Sequence, residues 1–435
     1  MNGIRLDLKK DMSLLEPVIR TPELPPEINL PLISHAGLQF EPLVSVGDTV
    51  LTGQKIANAF DDESFSIHSS ITGVVRAIDL NSHPIQGISR SMTIECSGED
   101  RWATDCGTER SKEEIEELLP REIIEIVQDA GIYNFNSVCE PLYKQLLSDN
   151  NKSPEIIILN GTQCEPYVTS DSMLMLHKAS EILRGFELII KAVGIGESYV
   201  AVDKNKLECY ELLLTKLFTL KIPHIKTALV EGTYPQNNES LILPQVCGRE
   251  VPLNKSARDV GVLVIDITTA YAAYEAVKFR KPYMERIVTI SGACVVQPQN
   301  VWARMGTPVR HLIEECGGLL RFPKQLIFGG GMTGVEQTDI EIPVVENTNA
   351  VLALPKEDDN IFESEACIRC GDCIPVCPVS INPALIVEEA MKFDWEKANQ
   401  LHAFACVECG NCNYSCPSHI PIVEWIREAK KWDNR

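Results

Sequence analysis

Short apolar runs alternate with amphipathic stretches through the middle of the chain, from about residue 113 to residue 280. The apolar runs have the length and β-branched content of buried strands, whereas the longer stretches repeat apolar residues with the helical period. The predicted strands are 156–159, 199–202 and 225–230, and the predicted helices are 173–191 and 207–220. Strands that alternate with helices in this way predict an α/β domain with a largely parallel sheet.

Two further segments have the pattern of small β domains. Residues 34–75 contain short alternating strands and a Gly47-Asp48 turn, which predicts a small sandwich of the biotinyl or lipoyl type. A carrier domain needs a lysine at the hairpin tip, where this chain has His68-Ser69-Ser70-Ile71, so we expect no swinging arm. Residues 286–293 and 307–313 predict a small β-grasp module with one helix, followed by a glycine-rich turn at 329–334.

Eight of the sixteen cysteines form two copies of one pattern, C-x2-C-x2-C-x3-C-P, near the C-terminus. Three thiolates on such a tight loop reach three irons of one [4Fe–4S] cube, while the fourth cysteine ligates the neighbouring cube. The ligands predicted for the first cluster are Cys367, Cys370, Cys373 and Cys416. The ligands predicted for the second cluster are Cys406, Cys409, Cys412 and Cys377. Zinc is the alternative for any CxxC pair, but two complete runs with a terminal proline fit zinc knuckles poorly.

The segment between the two cysteine motifs is too long for a minimal ferredoxin. It contains a predicted helix at 383–393 and the start of another near Trp395, which indicates a helical ferredoxin domain. We therefore predict an α/β multidomain protein with four parts. These are a barrel-sandwich β domain at 1–110, an α/β domain at 111–282, a β-grasp module at 283–350 and a helical two-cluster ferredoxin domain at 351–435.

Composition and charge narrow the classes of function. The chain has 435 residues, of which 44% are hydrophobic and 23% charged, as expected of a folded multidomain protein. Its formal net charge of -21 disfavours binding to nucleic acid or anionic lipid. No apolar run approaches the roughly 18 residues that span a bilayer, and the start at Met1 lacks a signal peptide's apolar stretch. We therefore expect a cytoplasmic protein without a transmembrane segment.

The order of these parts resembles the RnfC family, the cluster-bearing subunit of a membrane-bound ferredoxin:NAD oxidoreductase, itself similar to the flavin subunit of respiratory complex I. The matching segments are 35–57, 160–171, 234–236, 248–252, 259–262, the glycine turn and both cysteine motifs. The resemblance implies FMN and NADH as further cofactors and Rnf-type membrane subunits as partners at the inner face of the membrane. It places Lys144 and Glu165 at the flavin site.

One loop departs from that family. Relatives that bind FMN and NADH carry GxGGAGFPTxxK just before the segment at Asn160, whereas this chain has Gly-Ile-Tyr-Asn-Phe-Asn-Ser-Val-Cys-Glu-Pro-Leu-Tyr-Lys at 131–144. Glycines in such a loop let main-chain N–H groups approach a phosphate without a Cβ in the way. A second segment, 235–239, reads Pro-Gln-Asn-Asn-Glu in place of Pro-Gln-Gly-Gly-Glu. Both changes predict a lost or remodelled nucleotide site, and they argue against NADH dehydrogenase activity.

Cys139 stands where the altered loop would meet a substrate, just before a helix that is predicted to start near Leu142. A thiol in that position can have a lowered pKa, which suggests a redox-active Cys139 with Cys164 as its partner thiol. The alternative is that both cysteines are buried and inert. The resemblance extends here to the RnfC-like branch associated with D-proline reductase, called PrdC, which includes selenoproteins.

The leading hypothesis is therefore an electron-transfer protein that relays electrons through two [4Fe–4S] clusters to a D-proline reductase-type partner, an amino-acid reductase. The first alternative is an RnfC subunit that uses FMN and NADH. The second alternative is a non-catalytic docking adaptor in which the clusters only stabilise the fold.

Overall fold

The computed structural model describes residues 4–6, 18–136, 139–147, 154–253, 255–355 and 364–432. Two features of the sequence analysis reach beyond these ranges. The first residues of the chain, from Met1, and positions 137 and 138 of the altered loop lie outside the described residues.

The N-terminal part is a β sandwich. Its strands are β1 (Glu27–Pro31), β2 (Phe40–Pro42), β3 (Thr49–Val50), β4 (Lys55–Ala59), β5 (Asp62–His68), β6 (Gly73–His83) and β7 (Gly87–Cys96). They form two antiparallel sheets, with the strand orders β1-β7-β6-β3 and β2-β4-β5. Strands β6 and β7 make a long hairpin, in which Gly73 pairs with Cys96 and His83 pairs with Gly87. The predicted barrel-sandwich fold is confirmed.

The middle part is an α/β unit. Its first elements are α1 (Lys112–Glu117), α2 (Pro120–Asp129), β8 (Tyr133–Asn134), β9 (Glu140–Pro141) and α3 (Leu142–Leu146). They are followed by β10 (Ile156–Asn160), α4 (Ser170–Val193), β11 (Glu197–Asp203), α5 (Leu207–Thr219), β12 (Ile225–Val230), α6 (Glu239–Val246), β13 (Val262–Asp266) and α7 (Ile267–Phe279). The predicted strands and helices lie within β10 to β12, α4 and, apart from its last residue, α5. The two-residue strands β8 and β9 pair as a small hairpin that the sequence did not predict.

The parallel sheet of this unit has the order β12-β11-β10-β13. The chain therefore runs outward from β10 in one direction and then returns to place β13 on its other side. In open parallel sheets, ligands bind in the crevice outside the carboxyl ends of the strands where the order reverses. That position is the space beyond Asn160, the last residue of β10, and Asp266, the last residue of β13.

The third part is the predicted β-grasp module. It consists of β14 (Glu285–Ser291), β15 (Gln299–Arg304), α8 (Val309–Glu315), β16 (Gln325–Phe328), β17 (Val335–Gln337) and β18 (Ala350–Leu354). The strand order is β15-β14-β18-β16-β17. The glycine-rich segment forms the turn between β16 and β17, where Gly334 N–H donates to the Gly330 carbonyl at 2.8 Å. Gly329, with φ of 97°, supplies the left-handed conformation that this turn requires.

The C-terminal part is a small helical domain. Its helices are α9 (Pro383–Ala390), α10 (Trp395–Gln400), α11 (Asn411–Tyr414) and α12 (Ile422–Lys431). Helices α9 and α10 confirm the helices predicted between the cysteine motifs. Ile386, Ile422 and Ile426 are buried between α9 and α12, in one apolar core with several motif cysteines. In the described part of the chain, no helix is long and apolar enough to cross a membrane.

Candidate functional site

The eight motif cysteines fall into two groups of four, and each group lines its own cavity. A cavity of 610 Å³ is lined by Cys367, Cys370, Cys373 and Cys416. A second, much smaller cavity is lined by Cys377, Cys406, Cys409 and Cys412. Each group takes its fourth cysteine from the other motif, in the arrangement that the spacing predicts for exchanged ligands. That these groups bind iron stays a prediction.

The two cysteine loops share one backbone conformation. Arg369 and Glu408 occupy matching positions and have positive φ values of 57° and 54°. Gly371 and Gly410 also match, with φ values of 82° and 80°. Repeated left-handed residues turn the chain sharply, which brings three cysteines of each motif onto one side of a short loop.

Burial and mutual proximity raise the pKa of several of these thiols. Burial first, and then Cys406 and Cys377, raise the pKa of Cys409 to about 12. In the first group, burial raises the pKa of Cys373, with Cys370 and Cys416 adding to the effect. Thiolates gathered in this way need a compensating cation, which iron supplies.

The donor geometry also fits a cluster. Within the described ranges, no three His, Cys, Asp or Glu side chains converge closely enough to hold a single metal ion. The sulfur atoms of each group instead surround a cavity, and all four donors are thiols. Soft thiolate donors around a central space fit an iron–sulfur cube.

Polar residues beside the motif cysteines connect the loops to the rest of the domain. Glu408 forms ion pairs with Lys430 at 2.7 Å and Arg427 at 2.9 Å. These two cations lower the pKa of Glu408 against the opposing effect of its burial. Asn411 is fully buried, and its side-chain amide donates to the Val376 carbonyl at 3.1 Å. Asn411 therefore links the second motif to the first.

A further pocket lies at the expected crevice of the parallel sheet. It has a volume of 400 Å³, and its lining includes Asn160 and Asp266 at the strand ends. The tip of the β6–β7 hairpin and the glycine turn after β16 form other walls. Cys409 also lines this pocket, so one predicted cluster ligand is shared between the pocket and the second cysteine group. The pocket is thus in direct contact with the predicted site of the second cluster.

Glu165 connects three parts of the molecule in the wall of this pocket. Its carboxylate accepts hydrogen bonds from the Tyr234 hydroxyl at 3.0 Å, the Met332 N–H at 3.0 Å and the Thr333 hydroxyl at 2.7 Å. The Tyr234 hydroxyl also lies 2.8 Å from the Cys409 carbonyl. Burial raises the pKa of Glu165. Glu165 therefore links the α/β unit to the glycine turn and, through Tyr234, to the second cysteine loop.

The described residues of the altered loop do not form a phosphate cradle. Asn134 is fully buried, and its side-chain amide donates to Gln145 at 2.6 Å and to the Val264 carbonyl at 2.8 Å. Asn136 donates to the same carbonyl. These side chains fill space that glycines would leave open for an anion. The pocket as a whole has the size of a site for an FMN-sized ligand, but the described residues of this loop do not supply a glycine-lined phosphate cradle.

The other predicted site residues are not brought together. Lys144 lies on α3 with an exposed side chain and does not line the pocket. Cys139 lines the pocket and packs on the N-terminal apolar cluster, whereas Cys164 packs against Tyr234 and Cys409. Cys164 donates to the Asn237 side chain at 3.1 Å.

The expectation of a lowered pKa at Cys139 is wrong. Burial, followed by the nearby carboxylates of Glu346 and Asp266, raises the pKa of this thiol well above its usual range. Burial likewise raises the pKa of Cys164 to about 12. The helix after Cys139 has five residues. Its N-terminus lowers the pKa of a nearby thiol too little to offset the opposing effects of burial and of the carboxylates. Both thiols are therefore protonated at neutral pH, and their redox role stays a prediction without support from their acidity.

We expect Cys139 to react slowly with iodoacetamide at pH 8, because the thiolate is the reacting form and burial suppresses it. Mass spectrometry of peptides after timed alkylation of the cluster-free protein measures the rate. Cys370, whose side chain is exposed, serves as the internal control. Equal rates at the two cysteines would contradict the raised pKa and restore the thiol hypothesis.

Sequence reasoning missed two residues of this site. Tyr234 belonged to a segment that carried the family resemblance, but its contact with Cys409 was not apparent. Arg286 was assigned only to a strand of the β-grasp module, although its side chain lines the pocket. The signal that could have identified it is a charged residue at the second position of a mostly buried strand.

Models of known families match the chain in the order of its parts. The RnfC barrel sandwich hybrid domain matches residues 1–99, and the Nuo51 FMN-binding domain matches residues 127–275. The SLBB domain matches residues 287–336, and a 4Fe-4S dicluster domain matches residues 359–420. The chain thus carries an iron–sulfur dicluster domain and a domain of the FMN-binding type.

A solved structure with the same fold is an NAD+-reducing [NiFe]-hydrogenase in the air-oxidized state. The TM-score is 0.51 at 15% sequence identity, and the match covers 71% of this chain. It covers 63% of the hydrogenase chain, less than two thirds of its length. This likeness concerns the fold alone.

Whole-chain relatives are subunits of ion-translocating complexes. The chain is 32% identical over 398 residues to a subunit of the proton-translocating ferredoxin:NAD(+) oxidoreductase complex of Clostridium ljungdahlii, covering 92% of this chain and 86% of the relative. It is 32% identical to the corresponding subunit of the Na(+)-translocating complex of Acetobacterium woodii, covering 87% and 84%. It is 34% identical to a subunit of the ion-translocating oxidoreductase complex of Rhodobacter capsulatus, covering 84% and 70%. The chain belongs to the RnfC family.

Proposed function

We propose that this protein is an electron-transfer subunit of an Rnf-type oxidoreductase complex, in which two [4Fe–4S] clusters carry electrons between the pocket and a partner protein. The observation that carries the proposal is the position of Cys409. This residue lines the pocket and also the cavity of the second cysteine group. A ligand in the pocket would therefore lie beside the second cluster.

The exposure of the first cysteine group supports electron exchange between the first cluster and a partner protein. Cys367 and Cys370 are exposed, in contrast to the buried Cys409 and Cys412. Exposed apolar side chains surround the first group, namely Ile368, Ile374, Leu385 and Met391. An exposed cluster with an apolar rim suits contact with another protein. The path would run from pocket to second cluster, first cluster and surface, in either direction.

The pocket is the proposed site of FMN and of its exchange with NADH. The match to an FMN-binding domain supports this assignment, and so does the activity for which two of the relatives are named, ferredoxin:NAD(+) oxidoreductase. A bound flavin supplies the conversion between two-electron exchange with a nicotinamide and one-electron exchange with clusters. The protein's own part is to bind the ligand between strand ends and glycine turn, and to keep Cys409 beside it.

The amino-acid reductase partner that the sequence suggested has less support. It rested on the altered loop and on a reactive Cys139, whose pKa is raised. The relatives from Clostridium ljungdahlii, Acetobacterium woodii and Rhodobacter capsulatus are subunits of ion-translocating complexes. The altered loop remains a difference from the family pattern. We relate this difference to the way in which the pocket binds its ligand, not to the choice of partner protein.

We expect anaerobically reconstituted protein to contain about eight iron atoms per chain, the content of two cubes, and to bind FMN. Addition of NADH should then reduce the clusters, as followed by absorbance and electron paramagnetic resonance. A full iron content with clusters that dithionite reduces but NADH with FMN does not would exclude the NADH step. Clusters that no reductant or partner can reduce would instead favour the hypothesis of a non-catalytic docking adaptor.

A further inference from the structure

Arg286 carries a buried charge in the wall of the pocket. Its side chain is 4% exposed and begins on β14 of the β-grasp module. It donates one hydrogen bond, from Nη1 to the main-chain carbonyl of Glu346. The guanidinium lies 5.0 Å from the ring centre of Phe135, and its Nε has no acceptor among the described residues. The guanidinium is therefore a cationic group held almost entirely out of solvent.

The acidic groups near Arg286 are engaged with other donors. Asp266 accepts the main-chain N–H groups of Phe135 at 2.7 Å and Thr269 at 2.8 Å. The Glu346 carboxylate accepts a main-chain N–H at 2.5 Å, and burial raises its pKa. Among the described residues, neither carboxylate forms an ion pair with Arg286. Arg286 still acts on Glu346 electrostatically, opposing the effect of burial on the pKa of that carboxyl. Among the described residues, the guanidinium therefore has nearby acidic groups but no close ion-pair partner of the kind that usually accompanies a buried charge.

Arg286 is also the one lysine or arginine among the described residues that line the pocket. A buried charge without a close ion-pair partner is costly, and a bound anion relieves that cost. A guanidinium offers a planar set of N–H donors that matches the oxygen atoms of phosphate. In the described part of the altered loop, the side chains of Asn134 and Asn136 are engaged with the Val264 carbonyl and offer no charge to an anion.

We propose that Arg286 is an anion-binding residue, and that it holds a phosphate group of the ligand in this pocket. The contact would come from the β-grasp module rather than from the loop of the α/β unit. The rest of the ligand is assigned through the proposed function, whereas the phosphate site rests on Arg286 itself. The phosphate has two possible sources, a flavin mononucleotide or free inorganic phosphate.

The test compares FMN with riboflavin, which differ only by the phosphate. Quenching of flavin fluorescence gives the dissociation constants with the anaerobically reconstituted full chain. We expect the wild type to bind FMN roughly ten- to a hundredfold more tightly than riboflavin, as charge-assisted hydrogen bonds imply. Arg286→Met should bind the two flavins equally. Arg286→Lys keeps the charge without the planar donors, so its preference for FMN should lie between those of the wild type and Arg286→Met. The lysine variant replaces the methionine variant in the test if the latter does not fold.

Arg110→Met is the matched control. Arg110 is a partly buried arginine that also donates to main-chain carbonyls, those of Ala276 and Val277, but it lies outside the pocket. This variant should keep the wild-type preference for FMN. Equal binding of the two flavins by the wild type, or an unchanged preference in Arg286→Met and Arg286→Lys, would overturn the proposal.

Thermal unfolding separates the two sources of phosphate. If neither flavin binds but inorganic phosphate raises the Tm of the wild type and not of Arg286→Met, the site takes a free anion. If neither FMN nor phosphate has an effect that depends on Arg286, the proposal fails. An Arg286-dependent preference for FMN in a protein whose clusters are redox-inert would contradict only the proposed electron transfer.

Discussion

Serine in place of Cys377 is expected to remove the cluster of the second motif, although Cys377 belongs to the first. Cys377 lines the cavity of Cys406, Cys409 and Cys412, and it contributes to the raised pKa of Cys409. A serine oxygen is a harder ligand than a thiolate and binds an iron–sulfur cube less well. Iron content should fall to about half, since one of two cubes is lost. Iron analysis and electron paramagnetic resonance after anaerobic reconstitution measure the loss.

Double variants determine which cluster each cysteine serves. Cys377→Ser combined with Cys409→Ser should contain as much iron as either single variant, because both remove one cluster. Cys377→Ser combined with Cys370→Ser should lose both clusters. Cys294→Ser, a buried cysteine outside both motifs, is the control for substitution at a buried thiol. The opposite pattern in the double variants would show that each motif ligates its own cube.

Leucine in place of Glu165 is expected to lower the free energy of unfolding by about 1 kcal/mol. The Met332 N–H and the Thr333 hydroxyl lose their acceptor. Met332 is half-buried and Thr333 is exposed, so water can replace part of each lost hydrogen bond and the cost stays at the low end of the roughly 1–3 kcal/mol of a buried unpaired donor. The Tyr234 hydroxyl retains its contact with the Cys409 carbonyl at 2.8 Å. The substitution should also weaken the attachment of the glycine turn to the pocket wall. Urea unfolding of the cluster-free protein measures the change.

Glu165→Gln is the matched control, because it keeps an acceptor oxygen at nearly the same volume. The glutamine variant should lose less free energy of unfolding than the leucine variant. It should also remove one source of the pH dependence of that free energy. Burial raises the pKa of Glu165 above its ordinary value of 4.5, so the folded protein holds this proton more tightly than the unfolded chain. Protonated Glu165 therefore contributes to the free energy of unfolding below pH 4.5, and this contribution is lost as the pH rises through the pKa that Glu165 has in the folded protein. A glutamine variant with the same pH profile as the wild type would contradict the raised pKa.

Local patterns predicted many of the elements, but not all of them. The strands β10 to β12 and the helices α4 and α10 lie where the sequence pattern predicted them, whereas α9 ends at Ala390, before the predicted end at residue 393. Such patterns are reliable because the spacing of apolar residues within one element decides which side is buried. The hairpin of β8 and β9 was missed because two-residue strands have no period to recognise.

The pKa of Cys139 shows where sequence reasoning stops. Its position before α3 suggested a lowered pKa, but burial near Glu346 and Asp266 has the opposite effect. These carboxylates are distant in sequence, so no local pattern reveals them. Similarly, Arg286 and Cys409 come from separate domains, and only their packing around the ends of β10 and β13 places them in one pocket.

The sequence by itself predicted the two cysteine groups, including the exchange of their fourth members, and the same groups line two separate cavities in the structure. It could do so because the reach of a thiol along a short loop limits which cysteines can share a cluster. Only the tertiary structure decided that the second group borders a 400 Å³ pocket and that a buried arginine faces that space. The physical reason is that charge compensation and desolvation depend on neighbours from four parts of the chain, whereas ligand spacing is a property of one loop.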